Sequence, residues 1–306
     1  MKTFRWAAFL VLPLAAAALL PGCAAMDQVA QVGAAVAESS GAITKEQAQS
    51  ITRSSGALAK AAEDFTPEQE YYIGRSVGAV IVNRYKPDND PQANSYLNVL
   101  GQALAQASDR PETFGGYHFL VLESDEINAF ATPGGLVFVS RGMLRLCRNE
   151  DQVAAVLAHE ISHVQLRHGI DSIEKSRKTA ALTILAAESA KTFGKKQLAD
   201  LTKEFEGSIN DITSTLVNNG YSRAFERDAD ANAVKILSRI GYDPNALVAM
   251  LREMEKRLKP GGPDFAKTHP SPASRIQDLL AMDLRGPASP PPPARQARFQ
   301  KALGGV

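Results

Sequence analysis

Cysteine is scarce in this chain, with only Cys23 and Cys147 in 306 residues. Cys23 ends an apolar leader. If the Cys23 thiol is taken up by a modification, Cys147 is the only thiol left and no intramolecular disulfide is possible; Cys147 is expected to be a small buried residue. Net charge is nearly absent too: 34 Lys and Arg against 33 Asp and Glu leave a formal +1. With no long-range field and no basic cluster interleaved with aromatics, a nucleic-acid partner is not expected. Past the leader, no apolar run reaches the roughly 20 residues a membrane span needs. The most apolar later stretch, Ala180 to Ala190, is short and broken by Thr183, Glu188 and Ser189. Histidine is also rare, five in all.

That scarcity gives weight to His159-Glu160-Ile161-Ser162-His163. A chance match to this pattern is on the order of a few tenths of a per cent. Asn149 is a predicted N-cap, Glu150 and Asp151 place negative charge in the first turn, and Val153, Val156, Leu157, Ile161 and Val164 recur at helical spacing, with Gly169 as the stop. Residues four apart on a helix share a face, so His159 and His163 can offer two imidazole nitrogens to one metal ion. Glu160 sits beside that face, offset from ligation but placed to take a proton from a metal-activated water. Two solvated histidines on a surface helix are the bland alternative.

A catalytic zinc needs a third protein ligand. The extended metzincin pattern requires glycine at position 166 and histidine at position 169, where the chain has Leu166 and Gly169. His168 points well around the helix from His163 and is expected to be solvated or terminal. The better source is the amphipathic helix predicted from Tyr221 to Ile240. Glu226 and Asp230 share one of its faces, so Glu226 can ligate while Asp230 accepts the remaining ring N–H of a ligand histidine. A salt-bridged surface helix is the competing reading of that charge pattern.

Together the two motifs resemble the gluzincin peptidases of the HtpX and CAAX-prenyl-endopeptidase family, in which HExxH is followed by a Glu-x-x-x-Asp helix. Asn128-Ala129-Phe130-Ala131-Thr132-Pro133-Gly134-Gly135 with Val137-Phe138-Val139 is similar to that family's strand-turn-strand, and Thr268-His269-Pro270 with Arg275-Ile276 to its His-Pro segment. The resemblance runs from about residue 66 to 283, is densest at those four places, and leans toward the small periplasmic lipoprotein members, BepA-like and LoiP-like. It implies one Zn2+ per chain on His159, His163 and Glu226, Glu160 as general base, and Asp230 behind a ligand histidine. It also implies a role for His269 near the metal, as an extra ligand or a helper to the tetrahedral intermediate. Misfolded envelope proteins are the implied substrates. An edge strand containing Asn128, Ala129 and Phe130 is expected to pair with extended substrate. A latent or chaperone-like zinc lipoprotein without turnover is the alternative.

Lys2 and Arg5 followed by the apolar stretch Trp6 to Leu20 read as a signal peptide, too short to span and broken by Pro13. Leu20-Pro21-Gly22-Cys23 resembles a bacterial lipobox, implying acylation of Cys23 and a lipid anchor. Ala24 in place of an aspartate favours the outer membrane, facing the periplasm. The expected organisation is a leader at 1–22, an Ala/Ser/Gln-rich helical spacer at 23–65, a metallopeptidase domain at 66–284, and a mobile Pro-rich tail at 285–306. The spacer holds a helix from Asp27 to Ala37 and a capping box at Thr44 to Gln47. In the domain, Thr66-Pro67 starts a helix, a second runs from 91 to 107, and Tyr117, Phe119 and Val121 alternate as a strand. The fold class is α+β: a mostly helical, zincin-like domain with a small β-sheet beside the HExxH helix. Asp171 to Leu216 is expected to be a helical cover.

Overall fold

The computed structural model of the chain describes residues 23–62, 65–172, 212–257, 269–282, 284 and 291–306. The leader, Ala180 to Ala190 with most of the expected helical cover, and Thr268 lie outside the described residues. Among the described residues no helix is long and apolar enough to cross a membrane. The chain divides into two compact units, residues 1–63 with 178–194 and residues 64–177 with 195–306.

In the first unit, α1 (Cys23–Ser39) packs on α2 (Lys45–Ala62). The Ser55 hydroxyl donates to Asp27 Oδ1 at 2.6 Å across the pair. The Thr44 to Gln47 capping box closes reciprocally: Thr44 N donates to Gln47 Oε1 at 2.8 Å and Gln47 N to Thr44 Oγ1 at 3.2 Å.

The second unit is built on a three-stranded mixed sheet with order β1-β3-β2. β1 (His118–Leu122) runs parallel to β3 (Leu136–Ser140), and β2 (Ala129–Ala131) is antiparallel to β3. The β2–β3 turn needs left-handed backbone at Gly134 (φ 79°) and Gly135 (φ 104°), where a side chain would be strained. Alternation sorts the strands onto two faces. Phe119, Val121, Ala129, Ala131, Val137 and Val139 face the main core with α4 (Pro91–Gln106) and α6 (Glu150–Gln165). Phe130, Phe138 and Leu122 face a second core with Ile73, Val77 and Ile81 of α3 (Pro67–Arg84). α3 comes close enough to the turn that a Cβ on Gly74 would lie 1.7 Å from Pro133 O.

The outer edge of β1 is closed. Asn98 Nδ2 donates to Phe119 O at 2.6 Å, Phe119 N to Asn98 Oδ1 at 3.0 Å, Val121 N to Asn94 Oδ1 at 2.9 Å, and Asp88 N to Val121 O at 2.8 Å. The other edge of the sheet is β2, which lies against α6 and against the π-helical turn Thr215–Asn219.

Four of the remaining helices begin at side-chain caps that the sequence supplies. Ser140 caps α5 (Arg141–Leu146), Asn149 caps α6, Ser222 caps α7 (Arg223–Arg239), and Ser271 with Pro272 starts α9 (Pro272–Leu280). Between the last two lies α8 (Asn245–Arg257).

Two expectations are corrected here. α6 ends at Gln165, and Arg167 takes left-handed backbone (φ 57°), ahead of Gly169. Its guanidinium is held there by Glu70 Oε1 at 3.3 Å and by Phe65 O at 2.9 Å. The mobile Pro-rich tail expected at 285–306 also gives way: Pro293–Leu303 form a helix, α10, with Phe299, Ala302 and Leu303 buried in the main core. The proline run supplies a first-turn proline for that helix, and the apolar spacing of its last two turns supplies a reason to dock.

Candidate active site

The site sits where α6 and α7 cross. α6 is buried from Glu150 through Val164, so each of its polar side chains must find a partner inside the protein. Ser162 Oγ donates to Ala158 O at 2.7 Å and accepts from Asn232 Nδ2 at 3.1 Å, and Gln165 Nε2 donates to Asn232 Oδ1 at 3.0 Å. These bonds, with the buried Ala229 and Ala233, let α7 approach closely. Glu226 therefore falls in the first turn of α7 beside His159 and His163, with Asp230 one turn on. His269 and Arg275, at the entry and first turns of α9, complete the cluster.

The donor atoms converge. His159 Nε2 and His163 Nε2 are 3.2 Å apart, Glu226 Oε2 is 3.5 Å from the first, and Glu226 Oε1 is 3.5 Å from the second. Those separations match the edge of about 3.3 Å expected between donors around a tetrahedral zinc with bonds near 2.0 Å. His269 Nδ1 joins from the far side, 2.8 Å from Glu226 Oε1. One ligand atom from each of these four buried residues lies within 4.8 Å of the others. The set therefore fits a metal ion of zinc's preferences.

Behind the donors, His159 Nδ1 is 3.0 Å from Asp230 Oδ1. Arg275 grips the same carboxylate, Nη2 to Oδ1 at 2.6 Å and Nε to Oδ2 at 2.9 Å. Glu160 is buried, and its Oε1 has no hydrogen-bond partner.

Burial opposes charge on every group here, and the partners decide which groups keep it. Burial and Arg275 push His159 down, but bonds to Asp230 and Glu226 win and carry it up to about 9. Burial holds the His163 ring neutral, well below the usual histidine range. Burial also raises Glu226, but His269 and the bond from His159 hold its carboxylate far below the usual range. Glu160, buried and facing Glu226 without a direct partner, is pushed up to about 7.

Residues 91–283, more than half of the chain, match the family model of peptidase family M48. The chain belongs to peptidase family M48. It is 34% identical over 199 residues to the beta-barrel assembly-enhancing protease of Escherichia coli (strain K12), covering 62% of this chain and 39% of that protein. The protein of the same description from Yersinia pestis is 33% identical over 62% of this chain and 38% of its own length. The mitochondrial metalloendopeptidase OMA1 of Schizosaccharomyces pombe is 33% identical over 52% of this chain and 44% of its own length. The chain thus spans less than half the length of these relatives.

Within this M48 chain the structure brings together His159, Glu160, His163, Glu226, Asp230 and His269, all buried. Asn128, Ala129 and Phe130 are also buried, at and just before the β2 edge. Main-chain pairing through Asn128 O and Thr132 N turns the peptide groups of Ala129 and Ala131 away from β3. The Cys23 side chain lies outside what the structure describes.

Two residues of the cluster escaped the sequence reading. Arg275 was legible only as part of a motif, because nothing local says that its guanidinium ends on Asp230. His168, expected to be solvated or at the helix end, is buried, with its Nδ1 2.9 Å from His163 Nδ1. Burial pushes it down to about 4.

Proposed function

We propose that this chain is a zinc-dependent endopeptidase that hydrolyses internal peptide bonds of cell-envelope proteins, misfolded ones among them. The observation that carries the reading is the convergence of His159, His163 and Glu226 beside the unpartnered, buried carboxylate of Glu160. A zinc ion held by those three would polarise a carbonyl and bring the pKa of a water toward about 7. Glu160, poised near neutrality, takes the proton of the attacking water and returns it to the leaving nitrogen as the C–N bond breaks. Asp230 accepts the Nδ1 proton of His159 and so keeps Nε2 bare toward the donor set. Arg275 neutralises Asp230 so that two buried carboxylates can coexist four residues apart. The Ala129 and Ala131 peptide groups, at the sheet edge next to α6, are the natural place for an extended substrate to add a strand.

Acylation of Cys23 and residence at the outer membrane, facing the periplasm, complete the proposal. They are supported by the leader sequence and by the description of the Escherichia coli relative as a beta-barrel assembly-enhancing protease.

A second reading has one observation in its favour. With His269 counted, the donors number four, and closed four-ligand sites are structural whereas catalytic ones keep an open position. In that reading His269 holds the protein latent.

The test is metal content of the full chain purified without chelators, alongside cleavage of an unfolded protein. About one zinc per chain, lost in Glu226→Ala, and Glu160→Gln that keeps zinc but loses cleavage, are expected. Equal cleavage by Glu160→Gln would refute the assigned base. Cleavage that rises several-fold in His269→Ala with zinc retained would show that the resting protein is held closed.

A further inference from the structure

His163 has two ring nitrogens with different tasks. Nε2 belongs to the donor set, 3.2 Å from His159 Nε2 and 3.5 Å from Glu226 Oε1. Nδ1 faces away from it, and its partner is Nδ1 of His168 at 2.9 Å. A nitrogen that ligates a metal carries no proton, so the single proton of the neutral His163 ring must sit on Nδ1 and be donated. An imidazole nitrogen accepts only when it is bare. His168 must then carry its own proton on Nε2.

We propose that His168 is the positioning residue of His163: a neutral acceptor whose bare Nδ1 takes the Nδ1–H of His163, fixing that ligand's tautomer and spin. This inference rests on the proposed metal site and assigns it a part that the ligand motifs do not name.

The surroundings of His168 suit the task. Its ring stacks flat on Phe225, with centroids 4.3 Å apart and planes 2° from parallel, and Phe225 is the immediate neighbour of Glu226. Its backbone carbonyl accepts from Ser172 Oγ at 2.9 Å. His163 is itself held face-on by Tyr221, with centroids 4.4 Å apart and planes 17° from parallel. Tyr221 thus sets the plane of the His163 ring and His168 its rotation within that plane. On a continuous helix a residue five positions on would point about 140° away. α6 ends at Gln165 and Arg167 takes left-handed backbone, so His168 is off the continuation of that helix and sits with its Nδ1 2.9 Å from His163 Nδ1.

The two ligand histidines are consequently backed unequally. His159 leans on a carboxylate, Asp230 Oδ1 at 3.0 Å, and His163 on a neutral imidazole. A second buried carboxylate behind His163 would need a second buried cation. The neutral ring fixes the tautomer without that demand.

The test is zinc affinity of the full chain by chelator competition, with His168→Phe, His168→Asn and Glu226→Ala. His168→Phe keeps the stack on Phe225 but offers no acceptor, and should bind zinc 10- to 100-fold more weakly, the usual effect of losing such a partner. His168→Asn places an amide oxygen near the lost Nδ1 and should recover most of that affinity. His168→Phe binding as tightly as the unmodified chain would overturn the proposal, as would His168→Asn falling as far as His168→Phe. Should either variant fail to fold, nitrogen-proton NMR of the unmodified zinc form decides alone: a proton on His168 Nε2 is expected, and one on Nδ1 overturns the assignment. No zinc in the unmodified chain, or undiminished zinc in Glu226→Ala, removes the metal site itself and is thereby distinguishable from a failure of His168 alone.

Discussion

Arg275 shows how a single side chain holds the site's charges in balance. It is buried, bonded twice to Asp230, and its Nη1 is 3.7 Å from Glu226 Oε2. Removing it leaves the buried carboxylates of Asp230 and Glu226 with only the His159 ring to share as a cation. Breaking a buried pair in this way costs about 3–5 kcal/mol. Arg275→Met is therefore expected to lower the unfolding free energy of the metal-free chain by about that much, read as a shift in urea midpoint at unchanged slope. Arg275→Lys should recover only part of the loss, because an ammonium cannot span both oxygens of Asp230 as the planar guanidinium does. An unchanged midpoint in Arg275→Met would mean that Asp230 finds another cation. The candidate ligands of the site were legible because the HExxH and Glu-x-x-x-Asp spacings each act within a single helix. Arg275 and His168 were not, since their partners are set by where α9 begins and where α6 breaks.

Helix α10 carries the same lesson among the elements. Its sequence is introduced by four consecutive prolines and reads as a tail, yet it docks by tertiary contacts that no local pattern announces. Arg298 bonds Glu150 at the first residue of α6, Nε to Oε2 at 3.1 Å, and Arg295 lies 3.3 Å from Asp151 Oδ1. Glu150 is also reached by Tyr242 Oη at 2.9 Å and Tyr96 Oη at 3.3 Å. The start of α6, which carries His159 and His163, is thus pinned by α4, by the α7–α8 connection and by α10. Arg298 is more than half exposed, so its ion pair adds little. The buried Phe299 is the stronger anchor. Phe299→Ala should cost about 3 kcal/mol, whereas Arg298→Ala should cost under about 1 kcal/mol. Thermal unfolding of the two variants checks the order, and equal effects would show that α10 is held by charge. The cap at Asn149, the capping box at Thr44 and the strand alternation in β1 were all readable, being contacts within a turn or a period of two. The parallel pairing of β1 with β3 was not, because strand order depends on which faces α3, α4 and α6 cover.

Across the whole molecule, the buried acids and bases set a direction for stability against pH in the metal-free chain. His159 is carried from 6.5 up to about 9, so the folded state holds its proton more tightly than the unfolded chain does. Its contribution is present in full below pH 6.5 and is lost as pH rises toward 9. Cys147, raised by burial from 9.0 to about 12, acts above that window in the same sense: the unfolded thiol ionises first and draws the chain open. His163, His168 and His269 are lowered by burial, and their effect is complete once the unfolded histidines have lost their protons, near pH 6.5. Above neutrality nothing in the cluster opposes the trend. The metal-free chain should therefore become less stable from pH 7 to 9, with the urea midpoint falling steadily. Zinc changes the sign. Each ligand nitrogen must be bare to bind, so zinc competes with the proton on His159 and is held more tightly as that proton becomes easier to displace. The metal-loaded chain should gain on the metal-free one across the same interval, and the gap between the two midpoints should widen toward pH 9. A gap that stays constant, with both forms falling in parallel, would place the titrating group outside the donor set and detach His159 from the metal site.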